Sequence, residues 1–189
     1  MKHTKKIIAL IIAVITLLSL SACSEKEPSV ITVRTDADSF VEDALMLQRF
    51  AQHPERYTEN LTKDFGMTDK EAAEFYECPE EWLLYSQTVS IHNGTDENIR
   101  ICGFEVKDNG KNGVYISTAT AGEPSVAPNM AGETVFSVLC ENGDLTTEEA
   151  EQLVKEFEIK VLYTKEPTEL DDGSESVEET KTANLDFAN

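Results

Sequence analysis

The chain of 189 residues is strongly acidic, with 36 aspartates and glutamates against 16 lysines and arginines and a formal net charge of −20 at pH 7. Such a surface repels the phosphates of nucleic acids and anionic lipid head groups, which excludes a nucleic-acid-binding role. The same charge favours solubility, and it permits a basic partner without requiring one.

Residues 1–22 have the pattern of an export signal. Three lysines lie within the first six residues, and a mostly apolar stretch from residue 7 to residue 20 follows them. The stretch is shorter than the roughly 20 apolar residues that a membrane-spanning helix needs, and it ends in small residues. We therefore expect residues 1–22 to be a secretory signal peptide and no part of the fold.

The end of this segment, Leu20-Ser21-Ala22-Cys23, resembles the lipobox of bacterial lipoproteins, in which a leucine and two small residues precede a modified cysteine. The resemblance implies cleavage before Cys23, a diacylglycerol on the Cys23 sulfur and, often, acylation of the new amino group. Two or more acyl chains form a stable anchor. We thus expect an exported protein, lipid-anchored at Cys23 on the extracytoplasmic face of the cell membrane. Cleavage removes three lysines and no acidic residue, which changes the formal charge from −20 to −23.

Residues 23–29 are polar and include Pro28, which favours an extended lipidated tether of at most roughly 20 Å. The folded part is therefore expected to stay close to the bilayer. Residues 30–81 are predicted to form a small helical region. Its first helix is expected to begin at Ser39, because Ser39 and Glu42 have the spacing of a capping box.

Two further helices are indicated in this region by their end signals. Pro54 favours the start of one helix, because proline suits the first helical position. Thr68 with Glu71 has the spacing of a capping box for the next. Ala72 and Phe75 are expected to face inward from that helix.

Residues 82–165 show the alternation of apolar and polar residues that is typical of strands. Five strands are predicted, joined by polar turns, by a loop from Thr120 to Gly132 and by one helix capped by Thr146 and Glu149. The predicted strands are 83–91, 99–106 with a β-bulge at Gly103, 114–117 as the second half of a tight hairpin, 134–140 as a central strand, and 157–163.

Two turn sequences, Asn93-Gly94-Thr95 and the segment from Pro128 to Thr134, resemble those of immunoglobulin-like modules in surface lipoproteins of Gram-positive bacteria. The resemblance covers residues 85–164 and implies two packed antiparallel sheets without shared catalytic residues. The predicted fold class is α+β, a small helical N-terminal region followed by an antiparallel immunoglobulin-like β-sandwich. Residues 166–189 are acidic and poor in apolar residues, and they are predicted to be a disordered tail.

After the signal peptide, the sequence contains no catalytic or cofactor-binding motif that we recognise. Cys78, Cys102 and Cys140 are odd in number, so at least one is free or pairs between molecules, and whether any two form a disulfide stays open. His53 and His92 lie outside the H-E-x-x-H and C-x-x-C settings of zinc sites. A cysteine nucleophile partnered by His92 is an alternative that the composition allows but no spacing supports.

Two acidic segments begin like calcium loops but lack the required ligands. Asp36-Ala37-Asp38 is followed by Phe40 at a ligand position, and Asn142-Gly143-Asp144 lacks suitable flanking residues. We interpret both as turn and helix-capping residues, and we expect no metal. Arg100 has the chemistry to hold a ligand carboxylate, although a surface charge is the simpler interpretation.

These observations favour a non-catalytic binding or adaptor module, displayed at the membrane by its lipid anchor and directed at an envelope protein or a small ligand. The alternative is a structural or assembly factor of a cell-envelope complex, in which the helical region or the tail grips the partner. A hydrolase is a third hypothesis, which requires a tuned base that the sequence does not mark. The identity of the partner and the oligomeric state stay open.

Overall fold

The computed structural model describes residues 30–36, 38–122, 124–166 and 179–188. Its strands are β1 (Ile31–Thr35), β2 (Val41–Glu42), β3 (Leu83–Asn93), β4 (Ile99–Val106), β5 (Val114–Ile116), β6 (Ser125–Val126), β7 (Ala131–Cys140), β8 (Ile159–Lys165) and β9 (Lys181–Asp186). They join in one sheet in the order β5-β7-β3-β1-β9-β8-β4-β6, and β2 pairs with β3.

The α-helices in the described part of the chain are α1 (Ala44–Gln52), α2 (Pro54–Lys63), α3 (Asp69–Glu77) and α4 (Thr147–Val154). Thr68 and Thr146 each accept a hydrogen bond from the backbone N–H of the glutamate three residues on. Those glutamates, Glu71 and Glu149, accept in turn from the backbone N–H of the cap residue, which completes two capping boxes. Pro54 is the first residue of α2. These predicted helix ends are confirmed.

The sheet is curled into half of a barrel. Its strands are mostly antiparallel, but β1 pairs with β9 in parallel, at Val33 with Leu185 and Arg34 with Asp186. β9 also pairs antiparallel with β8, from residues 160 and 184 to residues 163 and 181. β9 therefore joins the half of the sheet that contains β1, β3 and β7 to the half that contains β4 and β8. The predicted mixture of helices and strands is confirmed, whereas the predicted pair of packed immunoglobulin-like sheets is not.

Two groups of buried side chains lie on opposite faces of β3 and β7. The barrel core fills the concave face between the two halves of the sheet, and its largest members are Tyr85, Phe104, Phe136, Ile91, Ile99, Ile101 and Ile116. The helical core lies between the sheet and helices α1 to α3, and it contains Phe50, Leu61, Phe65, Met67, Ala72, Phe75, Trp82, Leu84, Tyr115 and Leu139. Neighbours on one strand point to opposite faces, so Leu84 and Tyr85 belong to different cores.

Strand predictions in the middle of the chain are confirmed where they rest on local pattern. The register between β4 and β8 shifts between Ile101 and Gly103, which is the predicted bulge. Gly103 has a φ of 149°, and a Cβ there would lie 2.6 Å from the backbone oxygen of Thr118. β7 lies between β3 and β5, so it is an internal strand as expected.

The predicted hairpin into residues 114–117 is wrong in its partner. β5 forms in this segment, but it pairs with β7, with Val114 opposite Cys140. β4 pairs instead with β8 and β6. The chain does turn tightly before β5, with positive φ at Asp108, Gly110 and Gly113, but a tight loop does not decide which strand the chain then joins.

Two predictions for the helical region are also wrong. Residues 31–35 form a strand, with Ile31, Val33 and Thr35 buried on one face. α1 does not begin at Ser39, because its cap is Asp43, whose carboxylate accepts from the backbone N–H of Met46 at 2.9 Å. The chain before that cap forms the short strand β2.

The prediction of disorder throughout residues 166–189 is wrong at β9. Leu185 is only 8 % exposed and belongs to the barrel core, and Phe187 packs against it. The backbone N–H of Ala188 donates to the hydroxyl of Thr35 at 2.8 Å. The segments 1–29 and 167–178 lie outside the described residues, so the signal peptide, the tether and most of the predicted tail are not described.

Candidate binding surfaces

The strand directions bring Val30, the turn after β3 and the loop before β7 together at one end of the sheet, which we call the tether end. The backbone N–H of Gly94 donates to the carbonyl of Val30 at 3.1 Å, and that of Asn93 donates to the carbonyl of Met130 at 3.0 Å. Val30 and Met130 are 48 % and 57 % exposed. The chain segment that leads from Cys23 therefore enters the fold at the tether end.

The Asn93-Gly94-Thr95 turn holds this end together. The Asn93 side chain is fully buried, and its amide donates to the carbonyls of Glu97 at 2.8 Å and Val126 at 2.9 Å. Its oxygen accepts from the backbone N–H of Thr95 at 3.0 Å. A Cβ on Gly94 would lie 2.6 Å from the Val30 oxygen, so glycine permits this close approach.

Helix α4 lies at the opposite end, because it connects the last residue of β7 to the first residue of β8. Ala150 and Val154, four residues apart, are buried in the barrel core. α4 therefore covers the barrel core at this end of the half-barrel. Its other face is turned to solvent.

The solvent side of α4 carries an open groove of about 380 Å³, the α4 groove, lined by Leu145, Glu148, Glu149, Gln152, Leu153 and Glu156. Leu145 and Leu153 are half-buried and supply its apolar floor. The carboxylates are exposed and form its rim. Hydrogen bonds from the backbone and hydroxyl of Thr146 hold the pKa of Glu149 below its usual value, so this part of the rim is ionised at neutral pH.

A smaller cleft of about 190 Å³ adjoins the α4 groove and shares Glu156 with it. Its walls include Lys107, Lys111 and Glu158. Lys107 lies 3.6 Å from the Glu158 carboxylate, and a hydrogen bond from Lys160 lowers the pKa of Glu158. Glu158 is thus already paired with two lysines, so it is not a free carboxylate for a ligand.

A third concavity, of about 480 Å³, lies between β1 and β9 and is lined by residues of both strands and by Tyr163 of β8. It lies beside the short parallel ladder, which joins β1 and β9 at two residue pairs. Its lining is a mixture of apolar and polar groups such as Ile31, Thr182 and Asp186. It contains no cluster that indicates a particular ligand.

The predicted thiol and imidazole candidates are spread over the fold. Cys78, Cys102 and Cys140 are free, and they are half-buried, exposed and buried respectively. Cys140 of β7 lies opposite Leu83, at the end of β3 that is near α4. His92 lies at the other end of β3, the tether end, roughly 30 Å away along the strand. The structure therefore does not bring Cys140 together with His92.

The environment of two thiols keeps them protonated. Burial raises the pKa of Cys140 to about 12. Burial and the carboxylates of Glu81, Glu80 and Glu77 raise the pKa of Cys78. The thiolate is the reactive form of cysteine, so neither environment activates a nucleophile.

The interpretation of the two acidic segments is confirmed for the turns at Asp38 and Asp144, but it is wrong for the caps, because Asp43 and Thr146 cap the neighbouring helices. The Asp36 carboxylate accepts from the Ser90 hydroxyl at 2.6 Å, and the Asn142 side chain accepts from the backbone N–H of Asp144 at 3.2 Å. Within the described ranges, no group of three or more metal-binding side chains is present. Over the same ranges, no helix is both long and apolar enough to cross a bilayer.

The sequence did not indicate the α4 groove. The Thr146 and Glu149 capping box predicts its helix, but the sequence pattern alone does not tell whether Leu145 and Leu153 face the core or the solvent. The available signal for the groove is the spacing of the two leucines, which are eight residues apart, while Ala150 and Val154 fill the inner face of the helix. The lipidation candidate Cys23 and the tether lie outside the described residues.

Comparisons with known proteins identify no family. No protein-family model matches the chain, and no curated sequence does. Among solved structures, a protein from Archaeoglobus fulgidus shares 14 % identity over 55 % of this chain and 82 % of its own, with a TM-score of 0.26. A FixG-related protein from Vibrio parahaemolyticus shares 11 % identity over 84 % and 97 %, with a TM-score of 0.27. Similarities at these low TM-scores indicate neither a shared fold nor a shared function.

Proposed function

We propose that the chain is a membrane-anchored, non-catalytic extracytoplasmic lipoprotein whose folded part is a binding or adaptor module. The observation that carries the proposal is the position of Val30 and of the α4 groove at opposite ends of the same strands. Seven residue steps from Cys23 to Val30 reach at most roughly 25 Å. A lipid on Cys23 would therefore hold the tether end near the bilayer and direct the α4 groove away from it.

The non-catalytic part of the proposal is supported by the chemistry of the side chains. Acyl or glycosyl transfer needs a nucleophile or a water molecule within hydrogen-bond reach of a tuned base. Cys140 and Cys78 are protonated at neutral pH because their pKa values are raised. We expect the purified protein to show no turnover of generic esterase, peptidase or glycosidase substrates, and turnover lost on a single His92 or cysteine substitution would contradict this.

Anchoring is tested by replacing Cys23. In an expressing bacterium, C23A should accumulate as an unprocessed precursor, because lipid attachment precedes cleavage in this class of signal peptide. C102A is the matched control, since it removes an exposed cysteine of the folded part. Detergent phase partitioning and intact-mass spectrometry measure both properties. A mature, unlipidated protein that begins at another residue would overturn the proposal.

A further inference from the structure

We infer that the α4 groove binds a short basic and apolar segment of a protein partner, with an apolar side chain between Leu145 and Leu153 and lysines or arginines beside the carboxylates of the rim. The inference rests on the proposed function and deepens it, because it names the class of partner.

The floor of the groove is apolar and held in place. Leu145 directly precedes the α4 cap, and its backbone N–H donates to the carbonyl of Asn142 at 3.2 Å. Leu153 lies about two turns further on, beside the buried Val154. The volume of about 380 Å³ lies near the lower end of the roughly 300–1,000 Å³ of ligand pockets. The groove therefore suits one or two side chains of a larger partner.

The rim is acidic, and two lysines near it are paired with carboxylates outside the groove. Lys155 lies 2.9 Å from Glu151, and Lys107 lies 3.6 Å from Glu158. Glu148, Glu149 and Glu156 line the groove, and its six lining residues include no basic one. A cationic side chain of a partner would gain charge complementarity here, and the apolar floor would limit the water that screens it.

The same charges disfavour the other occupants. A second copy of this chain, docked by the same groove, would place its own Glu148, Glu149 and Glu156 against these carboxylates. Anionic lipid head groups meet the same repulsion. An acidic or purely apolar segment would leave the rim carboxylates desolvated without a partner. By contrast, a segment that carries both apolar and basic residues satisfies the floor and the rim together.

The probe for this inference is a fluorescent nine-residue peptide with two leucines four positions apart and lysines at four flanking positions. Its matched control has glutamate in place of each lysine. Both are titrated by anisotropy into the full mature chain in nanodiscs of zwitterionic lipid. We expect the lysine peptide to bind and to weaken as salt rises from 50 to 500 mM, on the order of tenfold. Equal binding of the glutamate peptide would overturn the inference.

Variants locate the binding. The double substitution E148K/E156K should weaken the lysine peptide by about tenfold. E77K/E133K changes the net charge equally at two exposed residues outside the groove, and it should have less than about a twofold effect. Equal effects of the two doubles would mean that the peptide responds to net charge and not to the groove, which would refute the inference.

The apolar floor has its own matched pair. L153Q should weaken the peptide by about fivefold, whereas L45Q, at a residue that is 60 % exposed on α1, should not. Self-association that depends on Leu153 would assign the groove to a second copy and overturn the inference. A chain that is lipidated but does not bind the peptide refutes the groove alone, and a chain that binds it but lacks lipid refutes the anchor alone.

Discussion

The buried leucine of β9 offers the sharpest test of the fold. Leu185 is 8 % exposed in the barrel core, opposite Val33 of β1, in a segment whose composition predicts disorder. Truncating a buried leucine to alanine removes its transfer free energy and leaves a cavity, which costs about 2–4 kcal/mol together. For a folded chain of this size, each kcal/mol lowers the melting temperature by about 2–4 °C. We therefore expect L185A to melt roughly 5–15 °C lower.

Urea denaturation measures the free energy directly. Trp82 is the only tryptophan of the chain and is 3 % exposed, so its fluorescence reports unfolding. The matched control is T182A, because Thr182 is exposed on the same strand and pairs with Leu162 through its backbone. L185A with the unfolding free energy of T182A would refute the docking of β9. Deletion of residues 179–188 should cost more than L185A, because Phe187 and the ladders to β1 and β8 are lost with it.

Three further outcomes test the turn, a capping box and the thiols. N93A removes a buried amide and its hydrogen bonds to two carbonyls, so urea denaturation should show a loss of about 2–3 kcal/mol in the free energy of unfolding. An unchanged denaturation midpoint would mean that these hydrogen bonds do not stabilise the fold. Hydrogen bonds from the backbone and hydroxyl of the cap threonine, and from Tyr115, hold the pKa of Glu71 below its usual 4.5. The carboxylate therefore stabilises the fold above about pH 4.5 and loses this contribution as the pH falls through its lower folded pKa, so the melting temperatures of the parent and E71Q should differ at pH 7 and converge near pH 3. In native protein at pH 8, iodoacetamide should modify the exposed Cys102, and it should reach the buried Cys140, whose pKa is raised to about 12, only in urea; mass spectrometry showing equal modification would contradict the burial.

Local chemistry in the sequence predicted much of the fold. The two threonine–glutamate capping boxes, the proline at the start of α2 and the bulge at Gly103 each depend on residues within a few positions. β1 lies inside the region predicted to be helical, and the alternation of Ile31, Val33 and Thr35 is too short a pattern to identify a strand by itself. The aspartate that caps α1 competes with Ser39 for the same role, and sequence spacing does not rank the two.

What local pattern could not predict is strand pairing. β5 joins β7 and not β4, and β9 inserts between β1 and β8, which is decided by side chains far apart in the chain. The alternation of Ala183, Leu185 and Phe187 was present but stood in an acidic segment, so composition outweighed it. The α4 groove was missed for a related reason, because the inward or outward position of Leu153 depends on what α4 covers.

The position of β9 in the sheet also has a consequence for biogenesis. If the chain is exported from its N-terminus, β1 and β8 emerge before the strand that fills the space between them. Until residue 186 has crossed the membrane, both strands present open edges, which invite pairing with other chains. Contacts between residues 33 and 185 also close a very long loop, and such contacts slow folding. The last step of folding would thus follow the completion of transport, and a periplasmic or surface chaperone that shields strand edges would raise the yield.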